Sequence, residues 1–528
     1  MKSKRFFSMA LVAMMAASIA LTSCGDSGKG SSSSSGGNGD APLFTYDGNS
    51  APVINSDKPI KISWLAATSI LDENKTQVMQ AIQEAWGDKV EIEWELKDYS
   101  EYSESVGPRL NAGGDLPDVC WAPNGNDANG LYWKSGIFQD ISEYYEKYGY
   151  NLKKKLDNDY PSAKERLIHE DGSMYYIPRF GMDKDYGINM MINGKWLDKL
   201  GLEAPKDTNE LYNVLKAFKE KDPNGNGQAD EIPLTFNPGY EVIFSTIYGF
   251  SLQDNFMQNE KGEWEVAWTS DLAKEYYTYM HKLYEEGLLD QSWSSGSDIT
   301  TKVANDTVGM TEAWSWSASF EFSAAYDEYD GTKGIFDLLV PVKAPNGKQY
   351  YRGVDSLDGI YGITRNCEHP DLVFAMMDYL FQDDMVKLAN MGIKGVDWDE
   401  DASGNITIDE ALLNDETHAN ELGTNPRCVP FEQNVVGIDP QFPKWHQEEN
   451  AVIRNYIEAP LIWTPVNDED NAVYEQYYTD LNKYWWEEIA KFVAGVESLD
   501  NWDSYVQHCK DMGQDKLLEV FLHSQEAE

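Results

Sequence analysis

Between residues 59 and 96 the hydrophobic period of the chain changes twice, and that pattern demands a parallel sheet. Pro59-Ile60-Lys61-Ile62-Ser63-Trp64-Leu65 reads as a strand. Residues 74–86 then place Val78, Ile82 and Ala85 at helical spacing, and 90–96 alternate as a second strand. A helix between two strands returns the chain along the sheet, so the strands run parallel and both faces need cover. Further strands are expected at 116–121, 175–178 and 186–193. Helices are expected at 102–110, 209–221, 272–286, 371–381, 472–490 and 499–521; in the second of these Leu211, Val214, Leu215 and Phe218 share one face. The expectation is an α/β protein without internal repeats.

The N-terminus is of another kind. Lys2, Lys4 and Arg5 precede an apolar run over 6–20, followed by Leu21-Thr22-Ser23-Cys24. A basic start, a short apolar run and small residues read as a secretory signal over 1–23. The run falls short of the roughly 20 apolar residues that a spanning helix needs. The tetrad resembles the lipobox of bacterial lipoproteins, which makes Cys24 the lipidated mature N-terminus and lipid the anchor to the outer face of the membrane. Residues 25–40 are almost wholly Ser, Gly, Asn and Asp, a composition that cannot bury apolar surface. Residues 24–57 thus read as a lipidated tether, and the remaining length of about 490 residues has room for two or more cores.

A formal charge of −46 argues against nucleic acid or anionic membrane as partners, since both require clustered cations. Cys120, Cys367, Cys428 and Cys509 are scattered, and the seven histidines show no HExxH pattern. Zinc and thiol catalysis find no support, whereas one or two disulfides stay open.

Several segments then follow in a recognisable order. Gly114-Asp115-Leu116-Pro117-Asp118-Val119 leads to Trp121, and Ser135 to Ile141 precede Tyr176-Ile177-Pro178. Trp196-Leu197-Asp198-Lys199-Leu200-Gly201-Leu202 comes before Pro205, and Val308-Gly309-Met310 before Trp314-Ser315-Trp316. Arg352-Gly353-Val354 and Asn501-Trp502-Asp503-Ser504-Tyr505-Val506 follow. This order resembles the family 1 extracellular solute-binding proteins, the lipoprotein receptors of ABC importers. It is most similar to their calcium-containing, oligosaccharide-binding branch, which includes alginate-binding proteins. The resemblance implies a type II periplasmic-binding-protein-like fold, two α/β lobes joined by a hinge, with ligand in the cleft. It places lobe one at 58–180 and 350–395, and lobe two at 181–349 and 396–528. It also implies a monomer that binds no nucleic acid and delivers its oligosaccharide to separate permease subunits.

Asp222-Pro223-Asn224-Gly225-Asn226-Gly227-Gln228-Ala229-Asp230-Glu231 matches the start of an EF-hand loop, with oxygen side chains at positions 1, 3, 5 and 9 and Gly at 6. Pro233 stands where the usual Glu would be; the resemblance implies that Glu231 supplies the bidentate carboxylate instead. A structural Ca2+ is expected on Asp222, Asn224, Asn226, Asp230, Glu231 and the Gln228 carbonyl.

Sugar rings need flat aromatics for their C–H faces and polar side chains for their hydroxyls. By position in the motif order, the expected ligand residues are Trp121 and Asn124 in lobe one, Arg179 at the first crossing, Trp314 and Trp316 in lobe two, and Asp355 and Ser356 where the chain re-enters lobe one. Trp445 and Trp463 are weaker candidates. A peptide or other polar solute is the alternative ligand. A secreted glycoside hydrolase is the rival class, but among 89 acidic residues the presence of carboxyl pairs discriminates nothing.

Overall fold

The computed structural model describes residues 42–527, apart from 69, 71, 123–131, 170, 182–186, 238, 297, 410–415, 464 and 466. Cys24 and Asn124 lie outside the described residues. The early strand–helix–strand forms as expected: Ile60–Thr68 pairs in parallel with Val90–Asp98 along its whole length, and Gln77–Trp86 connects them. In-register Trp64 and Trp94 approach to 5.5 Å, and Trp86 covers Trp64 from the helix at 5.9 Å. Val119–Trp121 joins the other edge of Ile60–Thr68 in parallel. A late strand, Leu357–Ile363, then inserts antiparallel between Val119–Trp121 and Tyr176–Phe180.

A second sheet orders Phe336–Leu338, Ile188–Asn193, Val308–Trp314 and Ile232–Leu234. Val308–Trp314 runs parallel to Ile232–Leu234 and antiparallel to Ile188–Asn193. Thr208–Glu220 covers this sheet with the expected face of Leu211, Val214, Leu215 and Phe218, and Asp207 caps its first turn through the amides of Asn209 and Glu210. Gly309 lies so close to the Phe218 ring that a Cβ there would clash.

Each sheet has its own core. The first gathers residues from Phe44 to Phe180 and from Ile360 to Val429; the second gathers residues from Ile188 to Val342, Tyr351, and residues from Trp445 to Phe521. The expected boundary at 395 does not follow this packing: Trp398, Ile408, Leu422, Cys428 and Val429 bury their side chains in the first core. The chain crosses between cores three times, and the crossings lie side by side. Phe180 donates to the Phe431 carbonyl at 2.9 Å, Gln433 to the Phe180 carbonyl at 3.0 Å, and Gly181 to the Ser356 carbonyl at 2.8 Å. Cys120, Cys367, Cys428 and Cys509 are buried free thiols. No helix among the described residues is long and apolar enough to cross a membrane.

Candidate functional site

In open α/β sheets, ligands sit beyond the carboxyl ends of the parallel strands. In the second sheet those ends belong to Ile232–Leu234 and Val308–Trp314. There Trp314, Trp316 and Phe320 are 36, 43 and 46% exposed, and the first two line a cavity of about 300 Å³ with Asn237, Tyr240, Asp298 and Glu321. Aromatic faces left bare beside polar side chains mark a recognition surface. The chain holds the patch open through a π-helical turn, Ala318–Phe322, a conformation that favours functional positions. Phe320 stacks on Phe442 at 5.0 Å, and Phe442 on His446 at 4.3 Å, which ties the patch to the third crossing.

Two residues before Trp314, Glu312 is fully buried, and neither carboxyl oxygen has a hydrogen-bond partner among the described residues. Burial holds its pKa well above the usual range, with help from Glu241. Burial also pushes Glu241 up to about 7, although Gly239 donates to it at 2.7 Å. Both acids, with Tyr240 and Asn237, are missed by the motif order. The sequence Asn237-Pro238-Gly239 was the available signal.

The other expected ligand residues have different surroundings. Trp121 is a core residue, 4% exposed, meeting Tyr102 edge-on at 4.9 Å and Tyr99 at 5.4 Å. A Cβ on Gly359 would come within 2.7 Å of its indole nitrogen. Arg179 is buried, ion-paired to Asp358, and stacked 4.8 Å over Phe431. Burial, with Arg427 adding to it, brings its pKa down to about 10, so it keeps its charge near neutral pH. Arg427 reaches the same Asp358 at 3.9 Å and lies 5.7 Å from the exposed Tyr99 ring. Tyr99, Asp358 and Arg427 are thus what the first sheet presents at its strand ends. Ser356 is buried. Asp355 accepts two hydrogen bonds from Arg166 and lines a separate cavity with Trp463. Trp445 is buried, 8% exposed.

The loop after Thr208–Glu220 closes on itself. Asp222 accepts from the amides of Gly225 and Gly227 at 2.9 and 3.2 Å, while Asn224 and Asn226 donate side-chain amides to Asp230 at 3.1 and 3.0 Å. Asp222 and Gly225 adopt left-handed φ angles of 45° and 78°. Glu231 Oε1 is buried without a hydrogen-bond partner; burial raises the pKa, and Asp222 and Asp230 add to it. An orphaned carboxylate oxygen beside two further carboxylates fits a hard cation. Turning over the Asn224 and Asn226 amides would add two oxygens. Among the described residues no three His, Cys, Asp or Glu side chains converge as a ready metal cage, so the loop requires this rearrangement to hold one.

A model of the bacterial extracellular solute-binding protein family matches residues 72–387. The fructooligosaccharide ABC transporter substrate-binding protein FusA of Streptococcus pneumoniae is 25% identical, with 97% of each chain covered. Two solved structures share the fold. The alginate-binding protein AlgQ2 without calcium ion has TM-score 0.70 and 21% identity, covering 89% of this chain and 99% of that one. The S. pneumoniae FusA EF-hand mutant in complex with fructo-nystose has TM-score 0.69 and 23% identity, covering 89% and 99%.

Proposed function

Since the chain belongs to the bacterial extracellular solute-binding protein family, we propose that it is the lipid-anchored substrate-binding protein of an ABC importer. It captures an oligosaccharide between two lobes built on the two cores and hands it to the permease. The exposed Trp314–Trp316 pair over a polar-rimmed cavity carries this reading. Among the described residues that line it, the cavity has no Lys or Arg and contains Asp298 and Glu321, which favours a neutral oligosaccharide over a uronic-acid chain. Tyr99, Asp358 and Arg427 supply the facing wall. The receptor is monomeric and non-catalytic, and nucleotide hydrolysis belongs to separate subunits.

Asp222, Asn224, Asn226, Gln228, Asp230 and Glu231 hold a structural calcium ion in this reading. It is supported by the orphaned Glu231 oxygen and by the two similar structures, one an alginate-binding protein without calcium ion and the other an EF-hand mutant. Cys24 carries the lipid. Calorimetric titration of the tether-free body with kestose, nystose, an alginate oligomer and short peptides tests the ligand class. Saturable binding of a neutral oligosaccharide is expected. Binding of peptides alone would replace the ligand, and turnover of the sugar would replace the class.

A further inference from the structure

A second cavity, of about 280 Å³, shares no lining residue with the Trp314 cavity. Gln253, Asp254, Asp355, Trp463, Tyr474 and Tyr478 form its walls. Tyr474 stacks on Tyr478 at 4.6 Å, and Trp463 meets Tyr474 edge-on at 5.6 Å. Both carboxylates are already matched. Asp254, 4% exposed, pairs with Arg352 at 2.6 Å and accepts from the Leu461 amide at 3.1 Å. Asp355 takes Arg166 at 2.7 and 2.9 Å.

That pairing decides the ligand chemistry. A cation would meet acids whose charge is already neutralised, and an anion would find no Lys, Arg or His in the lining. What remains is aromatic surface flanked by Pro460, Leu461, Ile462 and Pro465, the Tyr474 and Tyr478 hydroxyls, the Gln253 and Asn255 amides and the spare lone pairs of Asp355. A neutral polyhydroxylated ring uses all of these.

The position is as informative as the lining. Trp463, Tyr474 and Tyr478 pack against the second core, whereas Arg166 lies on Pro161–Leu167, a helix buried in the first. Arg352 is thus clamped to one side and Asp355 to the other, and only Gly353 and Val354 separate them. The second crossing has those two residues in which to swivel, and Asp355, just beyond them, completes a cavity otherwise walled from the second core's side.

We propose that this cavity is a second saccharide site, taking one neutral sugar ring across the hinge. It does not depend on which solute fills the Trp314 cavity. Its occupancy couples to lobe opening through Asp355, the one wall residue held from the first side of the swivel.

The test uses the folded body carrying Trp314→Ala, which weakens the main cavity, with glucose, galactose and fructose as probes followed by saturation-transfer NMR. Saturable binding of at least one hexose is expected, weakened tenfold or more by Tyr474→Ala and by Gln253→Ala. Gln253 is exposed, so its replacement keeps the test valid should Tyr474→Ala fail to fold. Absence of any saturable hexose binding overturns the proposal, as does binding that Gln253→Ala leaves unchanged. Titration of the Gln253→Ala protein, with Trp314 intact, with kestose reads the main cavity separately, so failure here leaves the importer reading standing.

Discussion

Replacing Trp314 by Ala separates recognition from stability. A tryptophan carries about 250 Å² of surface, so 36% exposure leaves about 90 Å² for a ligand to cover. At about 25 cal/mol per Å², covering half to all of it contributes about 1–2 kcal/mol. Trp314→Ala should therefore weaken oligosaccharide binding by about 5- to 30-fold. The indole ends a strand at the rim of the second core and does not fill that core, so melting of the ligand-free protein should move little. Calorimetric titration gives the first quantity, and thermal denaturation without ligand gives the second. An unchanged Kd with a large fall in Tm would show that the ring supports the fold, and the assignment of this cavity as the binding site would fail.

Trp121→Ala should behave oppositely: a large-to-small change inside the Tyr99–Tyr102 cluster costs about 3–5 kcal/mol, seen as a marked drop in Tm. Chelation of calcium should lower Tm, and Asp222→Ala should reproduce the loss; an ion present at 100 times its Kd stabilises by about 2.7 kcal/mol, and an indifferent Tm refutes the metal site. Burial keeps Glu312 protonated when folded, whereas the unfolded carboxyl ionises above about pH 4.3, so this contribution is complete below that pH and is lost as pH rises. Glu312→Gln should accordingly leave Tm unchanged near pH 4 and raise it near pH 8, with Glu241 retaining its own pH dependence; equal Tm values at both pH values would count against a buried neutral acid. Cys24→Ala, expressed in a bacterium, should release the protein from membranes, and unchanged retention would refute lipid anchoring.

The sheet onset was legible because Ile60–Thr68 and Val90–Asp98 alternate while Gln77–Trp86 changes period, a signal confined to neighbouring residues. Motif order points to Trp314 and Trp316; both are exposed, and that exposure needs no distant partner. Trp121 sits in the same kind of motif, but Tyr99, Tyr102 and Gly359 bury it, and the last of these arrives only when the late strand inserts. Arg179 likewise pairs with Asp358 through the antiparallel pairing of Arg179 with Gly359, a register that no local pattern encodes. The late strand, Leu357–Ile363, escaped notice because its two internal glycines depress its strand signal. Those glycines are there for the rings of Trp121 and Phe138, which press against the backbone.

The exposed aromatics also explain how a closing receptor can wait open. Together Trp314, Trp316 and Phe320 leave about 290 Å² uncovered, worth about 7 kcal/mol if fully buried. Reversing an equilibrium from 1:99 to 99:1 takes about 5.5 kcal/mol. In the proposed receptor, covering this patch would therefore supply enough free energy to switch the lobes. Closing on it without ligand would bring Asp298, Glu321 and Asn237 against the proposed facing wall without hydroxyls to satisfy them, and an unpaired buried polar group costs about 1–3 kcal/mol. A sugar meets both demands, its C–H face on the indoles and its hydroxyls on the acids and amide. Closure is then coupled to a ligand that is apolar on one side and polar at its edge.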